Sequence, residues 1–219
     1  MDRVRVGVLI SGRGSNLEAL MAAARAPDYP AEIVLVISNV AGAKGLDLAT
    51  RAGIPTRVIS HKDFPDRAAF DAALDTALRE AGATLVCLAG FMRLLGEKFA
   101  EDWRDRVLNI HPSLLPAFPG LDTHRKVLEA GVKISGCTVH IVRPELDDGP
   151  ILVQAAVPVA EGDTPESLAA RILELEPQCY PLALRLLASG QVRIQGRRAS
   201  LAAASAGTGL VNPAGPKRP

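Results

Sequence analysis

The residues with the clearest chemical potential are Asn109 and His111, two positions apart in the segment Asn-Ile-His-Pro. Side chains at i and i+2 of a β-strand point to the same face, so the amide and the imidazole should lie side by side. An amide donates and accepts hydrogen bonds, and an imidazole titrates near neutral pH. Pro112 has no N–H and cannot continue a sheet ladder, which places the pair at a strand's carboxyl end. Ligands bind at that end of open α/β sheets.

An acidic turn, residues 145–150 with the sequence Glu-Leu-Asp-Asp-Gly-Pro, is a second candidate. Taken alone, it has two interpretations. The first is an exposed Asx turn between two strands. The second is that one carboxylate turns inward to meet His111, where it would orient the imidazole and favour its charged form.

The other three histidines have different surroundings. His61 stands in a polar loop and is expected to be solvated. His124 follows a Pro-Gly-Leu loop near a helix start and could approach the same cleft as His111. His140 lies within a predicted strand and could simply be hydrogen-bonded there. The His, Asp and Cys residues do not have the spacing of metal ligands, so no metal is predicted.

A glycine-rich turn over residues 11–17 leads from the first predicted strand into a helix. Glycines let the backbone approach a ligand closely, and a helix N-terminus offers free N–H groups to an anion. A dinucleotide fingerprint would need Gly or Ala where Leu17 stands and an acid where Ser38 and Asn39 stand, and the Walker Gly-Lys-Ser/Thr is absent. A single phosphate is therefore favoured, with a plain capped turn as the alternative. Its ligands would be Gly14, Ser15 and Asn16.

The elements that must position these residues alternate between short β-branched runs and alanine-rich helical patterns. The predicted strands cover 4–10, 32–38, 56–59, 84–89 and 107–110, and the predicted helices cover 15–26, 43–53, 66–81 and 96–103. Continuous apolar runs such as Leu85–Ala89 are typical of strands buried on both faces. The alternation predicts an α/β fold with a doubly wound, mostly parallel sheet.

The pattern changes after residue 131. Val132–Val142 and Ile151–Val159 predict two strands around a short loop, and therefore an antiparallel or mixed edge to the sheet. Thr164 and the proline after it predict a helix start. Apolar residues at helical spacing predict that this helix continues to Gly190.

Length and composition bound the domain organisation. The chain has 219 residues, 48% of them apolar, which is enough for the core of one α/β domain. No repeat or linker interrupts residues 1–195, so they are predicted to form a single domain. Residues 196–219 lack periodicity and are expected to be a disordered tail. The net charge of +1 gives no argument for nucleic acid or a membrane surface, and no apolar run approaches the roughly 18–20 residues that span a bilayer.

The cysteines and the N-terminus bear on the cellular compartment. The three cysteines are odd in number and far apart, without CxxC spacing, so each is expected to be a reduced, small core residue. The chain enters a strand pattern directly, without a signal-peptide layout. A cytoplasmic location is expected. The cysteines are Cys87, Cys137 and Cys179.

Four segments carry a resemblance to a known family. They are Ile10–Leu17, Leu88–Arg93, Asn109–Pro116 and Leu146–Pro150. Together they resemble the phosphoribosylglycinamide formyltransferases, folate-dependent enzymes of purine synthesis with a Rossmann-like fold, over about residues 4–195. The Asn-x-His and Asp-x-Gly pair is shared across folate formyltransferases and hydrolases. The glycine loop singles out the glycinamide ribonucleotide enzymes.

The resemblance implies transfer of a formyl group from 10-formyltetrahydrofolate, as cosubstrate, to the amine of 5'-phosphoribosylglycinamide, without a metal. The N-terminal half would bind phosphate, and the C-terminal half would bind folate and carry the catalytic residues. The implied catalytic residues are Asn109, His111 and Asp147. The implied phosphate and ribose ligands are Gly14, Ser15, Asn16, Leu17, Glu18 and Glu176. The implied folate contacts are Arg67, Met92, Arg93, Leu94, Leu95, Asn109, Pro144 and Glu145.

In the implied mechanism, Asn109 and a protonated His111 donate hydrogen bonds to the reacting atoms, and Asp147 keeps His111 charged. No covalent enzyme intermediate is needed. Two residues depart from the family pattern: Pro144 stands where an acid is frequent, and Asp148 replaces a frequent glycine.

Three alternatives stay open at this point. A formyltetrahydrofolate deformylase usually carries an N-terminal regulatory domain, whereas the first predicted strand begins at residue 4. A methionyl-tRNA formyltransferase needs an added C-terminal domain and a basic surface. A non-catalytic nucleotide-binding regulator would use the glycine loop but has no need for the catalytic residues. The expected partners are small-molecule substrates, without nucleic acid or membrane, in a monomer or a homodimer.

Overall fold

Seven strands form the central sheet of residues 2–201, the part of the chain that this computed structural model describes. The strands are β1 (Val4–Ile10), β2 (Ala31–Ser38), β3 (Thr56–Val58), β4 (Leu85–Leu88), β5 (Val107–His111), β6 (Ile134–Ile141) and β7 (Ile151–Pro158). Their spatial order is β3-β2-β1-β4-β5-β6-β7. The first five strands pair in parallel, and β6 and β7 add antiparallel pairs at one edge. The predicted α/β fold with an antiparallel edge is confirmed.

Helices cover both faces of this sheet. They are α1 (Ser15–Ala24), α2 (Lys44–Arg51), α3 (Arg67–Glu80), α4 (Glu97–Asp102), α5 (Thr123–Glu129), α6 (Pro165–Leu173) and α7 (Glu176–Ala188), with a 3₁₀ turn at His61–Asp63. Apolar residues of α1, α2, α5, α6 and α7 pack in the core on one face, and those of α3 and α4 pack on the other. Of these helices, none is long and apolar enough to cross a membrane.

Strand residues alternate between the two cores, which explains the continuous apolar runs in the sequence. Val8 and Cys87 belong to the core under α1 and α7, whereas their neighbours Leu9 and Val86 belong to the core under α3. The buried Tyr180 fixes α7 against the sheet, because its hydroxyl lies 3.0 Å from a backbone carbonyl oxygen of β4 and 3.0 Å from one of β5.

The prediction of one continuous helix from residue 165 to 190 is wrong, because the segment forms two helices. It begins as expected, with Thr164 as N-cap and Pro165 in the first turn. It then divides into α6, which ends at Leu173, and α7, which begins at Glu176. Pro177 lies in the first turn of α7, where a helical N–H partner is not needed, and it lacks the N–H that would bond to the carbonyl of Leu173 in a continuous helix.

The expected disorder from residue 196 is also wrong for the first residues of that segment. Two strands, β8 (Val192–Gln195) and β9 (Arg198–Leu201), form an antiparallel hairpin. Their side chains alternate between partly buried and exposed, a pattern that is too short to recognise by periodicity. Residues 202–219 lie outside the described part of the chain.

Candidate active site

The antiparallel pairing of β5 with β6 brings four polar side chains to one face of the sheet. Asn109 lies opposite His140, and His111 lies opposite Thr138. Directly opposite residues of an antiparallel pair share a face, and Asn109 and His111 share one by their spacing. His111 is only 6% exposed. The predicted strand-end pair is therefore in place, with a second histidine beside it.

The acidic turn folds back over this face. Asp147 Oδ2 lies 3.4 Å from His111 Nδ1, and each side chain is 7% exposed. The same Oδ2 accepts a hydrogen bond of 2.8 Å from the N–H of Gly120. Asp147 has a left-handed backbone, with φ of 54°, which aspartate tolerates better than most residues. The inward interpretation of the turn describes the structure, and the catalytic roles of these residues stay predictions.

The His111 ring is held between two acceptors. Its Nε2 lies 2.9 Å from the carbonyl oxygen of Phe118. A carbonyl only accepts, so Nε2 carries a proton and donates it. Nδ1 faces the Asp147 carboxylate.

The amide of Asn109 is oriented by His140, which sequence reasoning treated only as a hydrogen-bonded strand residue. His140 Nδ1 lies 3.0 Å from the carbonyl oxygen of Ile141 and therefore donates to it. Nε2 is then free to accept from Asn109 Nδ2, at 3.3 Å. Burial lowers the pKa of His140, against the opposing effects of the Ile141 carbonyl and Asp147, which keeps the ring in this neutral form. One amide hydrogen of Asn109 has no partner among residues 2–201.

The remaining two histidines differ in how well they were predicted. His124 lies near enough to His111 for the two to interact: burial lowers the pKa of His124, and the charge of His111 lowers it further. Its Nε2 is buried without a partner in the described part of the chain. His61 is partly buried rather than solvated, with Nδ1 3.4 Å from Asn39 Nδ2 and its ring edge-on to Phe70.

The glycine loop presents unpaired backbone donors at the start of α1. The N–H of Glu18 bonds to the carbonyl of Gly14 at 2.8 Å, which begins the helical ladder. The N–H groups of Ser15, Asn16 and Leu17 precede that bond and have no helical acceptor. The Leu17 side chain is fully buried, so this residue can offer a ligand only its N–H. The carboxylate of Glu18 is exposed.

Gly14 itself is required by the backbone. Its φ is 85°, which lies in a region that residues other than glycine rarely adopt. A Cβ at this position would lie 2.8 Å from the Cα of Gly45. The Gly45 N–H donates to the carbonyl of Gly12 at 3.1 Å, so the loop is packed directly on the start of α2.

Asn16 joins the glycine loop to the first residue of α7. Its Nδ2 donates to Glu176 Oε2 at 2.6 Å, and both residues are 8% exposed. Asn16 Oδ1 is buried without a partner in the described residues. Burial raises the pKa of Glu176, and the hydrogen bond from Asn16 opposes that rise. The residues assigned to phosphate and ribose therefore lie together.

The loop after β4 and the start of α3 form a third group. Arg67, Arg93 and Leu94 line a cavity of about 210 Å³ together with aromatic side chains. Met92 is 70% exposed and Leu94 60% exposed, whereas Leu95 packs against the core. The structure therefore brings Arg67, Arg93 and Leu94 together as the resemblance implied.

Ser11 and Asn39 support this loop, and sequence reasoning did not single them out for that role. Ser11 Oγ accepts from the N–H of Met92 at 2.8 Å and donates to Asn39 Oδ1 at 2.5 Å. Asn39 is 6% exposed. The sequence analysis considered Asn39 only because a dinucleotide-binding protein would have an acidic residue there. A polar residue directly after a buried strand was the signal that could have identified its supporting role.

The loop between β6 and β7 is tied down near both ends by ion pairs. Arg143 pairs with Asp105, before β5, and Arg197 of the β8–β9 turn pairs with Asp148. A cavity of about 530 Å³ lies between this loop and the hairpin. Pro144 is partly buried in the loop, and Glu145 is exposed.

The metal-ligating side chains do not form a further centre in the residues that the structure covers, although Cys137 Sγ lies 3.8 Å from Cys179 Sγ. Within residues 2–201, His, Cys, Asp and Glu form no group of three or more that could hold a metal ion. The three cysteines are free and buried, as expected of small core residues.

Comparison with known proteins identifies the family. Residues 4–184 match the family model described as formyl transferase. The chain belongs to the formyl transferase family. This formyl transferase is 41% identical to the phosphoribosylglycinamide formyltransferase of Escherichia coli (strain K12) over 198 residues, which cover 90% of the chain and 93% of that protein.

Two further relatives agree in family and differ in length. The crystal structure of glycinamide ribonucleotide transformylase 1 from Symbiobacterium toebii superposes with a TM-score of 0.89 at 51% identity, and the match covers 91% of this formyl transferase and 94% of that chain. The trifunctional purine biosynthetic protein adenosine-3 of Gallus gallus is 54% identical over 193 residues. That match covers 88% of this formyl transferase but only 19% of the relative, so the chain spans about a fifth of its length.

Proposed function

We propose that this formyl transferase transfers the formyl group of 10-formyltetrahydrofolate to the amine of 5'-phosphoribosylglycinamide, yielding the formylglycinamide ribonucleotide and tetrahydrofolate in de novo purine biosynthesis. The observation that carries the proposal is the buried contact of 3.4 Å between Asp147 and His111 beside the oriented amide of Asn109. The unpaired donors of the glycine loop support a substrate that bears a phosphate. The names of the relatives support phosphoribosylglycinamide as the acceptor of the formyl group.

Asn109 stabilises the charge that develops during transfer. When the substrate amine attacks the formyl carbon, negative charge accumulates on the formyl oxygen. The amide hydrogen of Asn109 that is not bonded to His140 is the donor for that oxygen. Because His140 fixes the amide before the reaction, little reorganisation is needed, and loss of such a donor costs on the order of 10²–10³ in rate.

His111 acts as the second donor and Asp147 as its partner. The Nε2–H that now bonds to the Phe118 carbonyl turns to the formyl oxygen or to the departing folate nitrogen. Asp147 keeps the imidazolium oriented and passes the excess proton of the amine to a water molecule. The amine itself is the nucleophile, so the enzyme forms no covalent intermediate.

The nucleotide substrate binds at the junction of α1 and α7. Its phosphate accepts hydrogen bonds from the backbone around Gly14, Ser15, Asn16 and Leu17, and the positive end of α1 adds a favourable field. Glu176 accepts from the ribose hydroxyls. The N–H of Glu18 is already bonded to the Gly14 carbonyl. It is therefore not available to the phosphate, and Glu18 contributes only as a residue of the first helical turn.

The folate binds between the loop after β4 and the loop after β6. Exposed apolar side chains and two guanidinium groups suit an aromatic ligand that ends in carboxylates. The residues assigned to the folate are Arg67, Met92, Arg93, Leu94, Leu95, Asn109, Pro144 and Glu145.

The proposal extends to the organisation of the chain. Residues 1–195 act as one formyltransferase domain, with phosphate binding in the N-terminal half and folate binding and catalysis in the C-terminal half. The protein works in the cytoplasm on small-molecule substrates, as a monomer or a homodimer, without a metal.

An assay with both substrates tests the proposal. The purified protein is incubated with 10-formyltetrahydrofolate, with and without 5'-phosphoribosylglycinamide, and tetrahydrofolate is measured. We expect tetrahydrofolate only when both substrates are present. Its release in the absence of the nucleotide would indicate a deformylase instead, and ligand-induced stabilisation without turnover would indicate a non-catalytic binding protein.

A further inference from the structure

A buried carboxylate that the proposed chemistry does not use lies behind the folate loop. Asp71, on α3, is 5% exposed. Its Oδ2 accepts a hydrogen bond of 2.6 Å from the N–H of Gly96. Its Oδ1 is buried without a partner in the described residues. Leaving a charged oxygen unpaired in the interior costs free energy, so this position calls for an explanation.

The hydrogen bond to Gly96 alone does not explain the charge. An asparagine at position 71 could accept the same bond without the penalty of burying a carboxylate. Burial raises the pKa of Asp71, while the Gly96 N–H and the positive charge of Arg67 oppose that rise. Arg67 stands one helical turn earlier on α3, the separation at which side chains face each other. The charge of Arg67 therefore favours the ionised carboxylate, and the direct hydrogen bond is the one to the loop.

Gly96 leaves no room for a side chain beside these two groups. A Cβ at this position would lie 2.9 Å from Asp71 Oδ2 and 3.5 Å from Arg67 Nε. Its φ of −75° is open to any residue, so the need for glycine comes from the contact and not from the backbone angle. The end of the loop is therefore packed against Asp71, with Arg67 close by.

The segment 92–96, which we call the folate loop, is consequently held at both ends. Ser11 Oγ accepts from the N–H of Met92 at its start, and Asp71 accepts from the N–H of Gly96 at its end. Between these anchors lie the exposed Arg93 and Leu94, which share a cavity with Arg67.

We propose that Asp71 is a positioning residue for folate binding, whose carboxylate fixes the end of the folate loop beside the Arg67 guanidinium. The inference rests on the proposed function, because it needs the cavity at Arg67 and Arg93 to bind the folate cosubstrate. Asp71 does not touch the reacting atoms. Its effect is confined to the affinity for one of the two substrates.

Substitutions at position 71 separate the charge from the hydrogen bond. Asp71→Asn keeps an acceptor for Gly96 and removes the charge, and we expect about a threefold rise in the KM for 10-formyltetrahydrofolate. Asp71→Ala removes both, and we expect a rise of about tenfold or more. In both variants the KM for 5'-phosphoribosylglycinamide and kcat stay within about twofold of wild type, a split that general loss of structure would not produce.

A matched control and a second variant keep the test independent of folding. Asp75 lies one turn further along α3 and bonds to Trp103 and Arg79 instead of the loop. Asp75→Asn should lower the unfolding temperature and leave the folate KM unchanged. Gly96→Ala inserts a Cβ against the Asp71 carboxylate and should raise the folate KM as Asp71→Ala does.

Calorimetric titration with tetrahydrofolate gives a readout that does not depend on turnover. We expect weaker binding by the Asp71→Ala and Gly96→Ala variants, by the same factor as the rise in KM. Wild-type folate affinity in both variants would overturn the inference, and so would an equal rise in the KM of both substrates. An inactive wild-type enzyme that binds tetrahydrofolate would contradict the proposed function instead, with the titration of the variants still testing Asp71.

Discussion

The catalytic face and the phosphate loop handle their polar groups in opposite ways. At the catalytic face, His111 is held by Asp147 and the Phe118 carbonyl, and Asn109 is held by His140. At the phosphate loop, three backbone N–H groups and the buried Asn16 Oδ1 lack partners in the described residues.

This difference corresponds to two kinds of work. The Asn109 amide, which must meet a developing charge, is oriented in advance by His140, which reduces reorganisation in the transition state. Groups that bind a stable anion are left unpaired, so that the ligand completes their hydrogen bonds. Substitutions at the first region should therefore change kcat, and substitutions at the second should change KM.

The largest effect on substrate binding is expected at Gly14. Gly14→Ala places a Cβ 2.8 Å from the Gly45 Cα at a positive φ, so the donor-bearing loop must shift. We expect the KM for 5'-phosphoribosylglycinamide to rise roughly 10- to 100-fold, since hydrogen bonds to a charged group contribute about 1.5–3 kcal/mol each, while kcat at saturation stays close to wild type. Steady-state kinetics with each substrate varied in turn measures both quantities.

Gly12→Ala is the matched control for that loop. A Cβ at Gly12 meets nothing within 4 Å. The KM of the Gly12→Ala variant for 5'-phosphoribosylglycinamide should therefore stay near the wild-type value. Binding of a dephosphorylated substrate analogue separates the two explanations. If Gly14→Ala weakens the binding of this analogue by the same factor as the binding of the substrate, the loop does not bind the phosphate, and the comparison between the two regions fails.

A smaller effect, on kcat, is expected at His140. His140→Phe keeps a ring but removes the Nε2 that accepts from Asn109, so the amide loses its fixed orientation. One neutral hydrogen bond contributes about 0.5–1.5 kcal/mol, and we expect kcat to fall roughly tenfold with both KM values little changed. A rise in the KM for the nucleotide with unchanged kcat would show that His140 does not act through Asn109.

The smallest kinetic effect is expected at Glu176. Its buried carboxylate is proposed to bind the ribose, but it lowers the stability of the folded protein at neutral pH. Because burial raises the pKa of Glu176, the folded protein holds this proton more tightly than the unfolded chain does. The stability contributed by the protonated form is complete below the unfolded pKa and is lost as pH rises through the folded pKa. Glu176→Gln should therefore raise the free energy of unfolding above the folded pKa and leave it unchanged at acid pH.

Urea denaturation across pH, combined with kinetics, measures this opposition. We expect Glu176→Gln to be more stable than wild type at neutral pH and to raise the KM for 5'-phosphoribosylglycinamide a few-fold, since an amide accepts more weakly from hydroxyls than a carboxylate does. A variant that is less stable at neutral pH would show that the carboxylate is held for structure and not for the ribose.

Local pattern predicts the strands well and the long-range contacts poorly. β1 was predicted to the residue, and the β5 end at Asn109 and His111 followed from spacing and Pro112. The division of the last long helix was missed because Pro177 lies in a pattern that otherwise keeps helical spacing.

Tertiary contacts explain why parts of the site were not predictable. Whether the acidic turn faces solvent or His111 depends on how residues 142–150 pack over β5. The contact of Asp147 with His111 could therefore be named only as one of two alternatives. The role of His140 depends on the register of β6 against β5. Asp71 carries no motif and is separated by 25 residues from its partner Gly96, so only the structure connects them.

The most direct test of the central claim is single-turnover formyl transfer by Asp147→Asn, with the binding of both substrates measured separately. Asparagine keeps the shape of the side chain but removes the charge that faces His111. We predict that the rate of transfer falls at least about a hundredfold, as for loss of a group that acts in proton transfer, while both substrates bind as in wild type. A wild-type transfer rate in this variant would contradict the account.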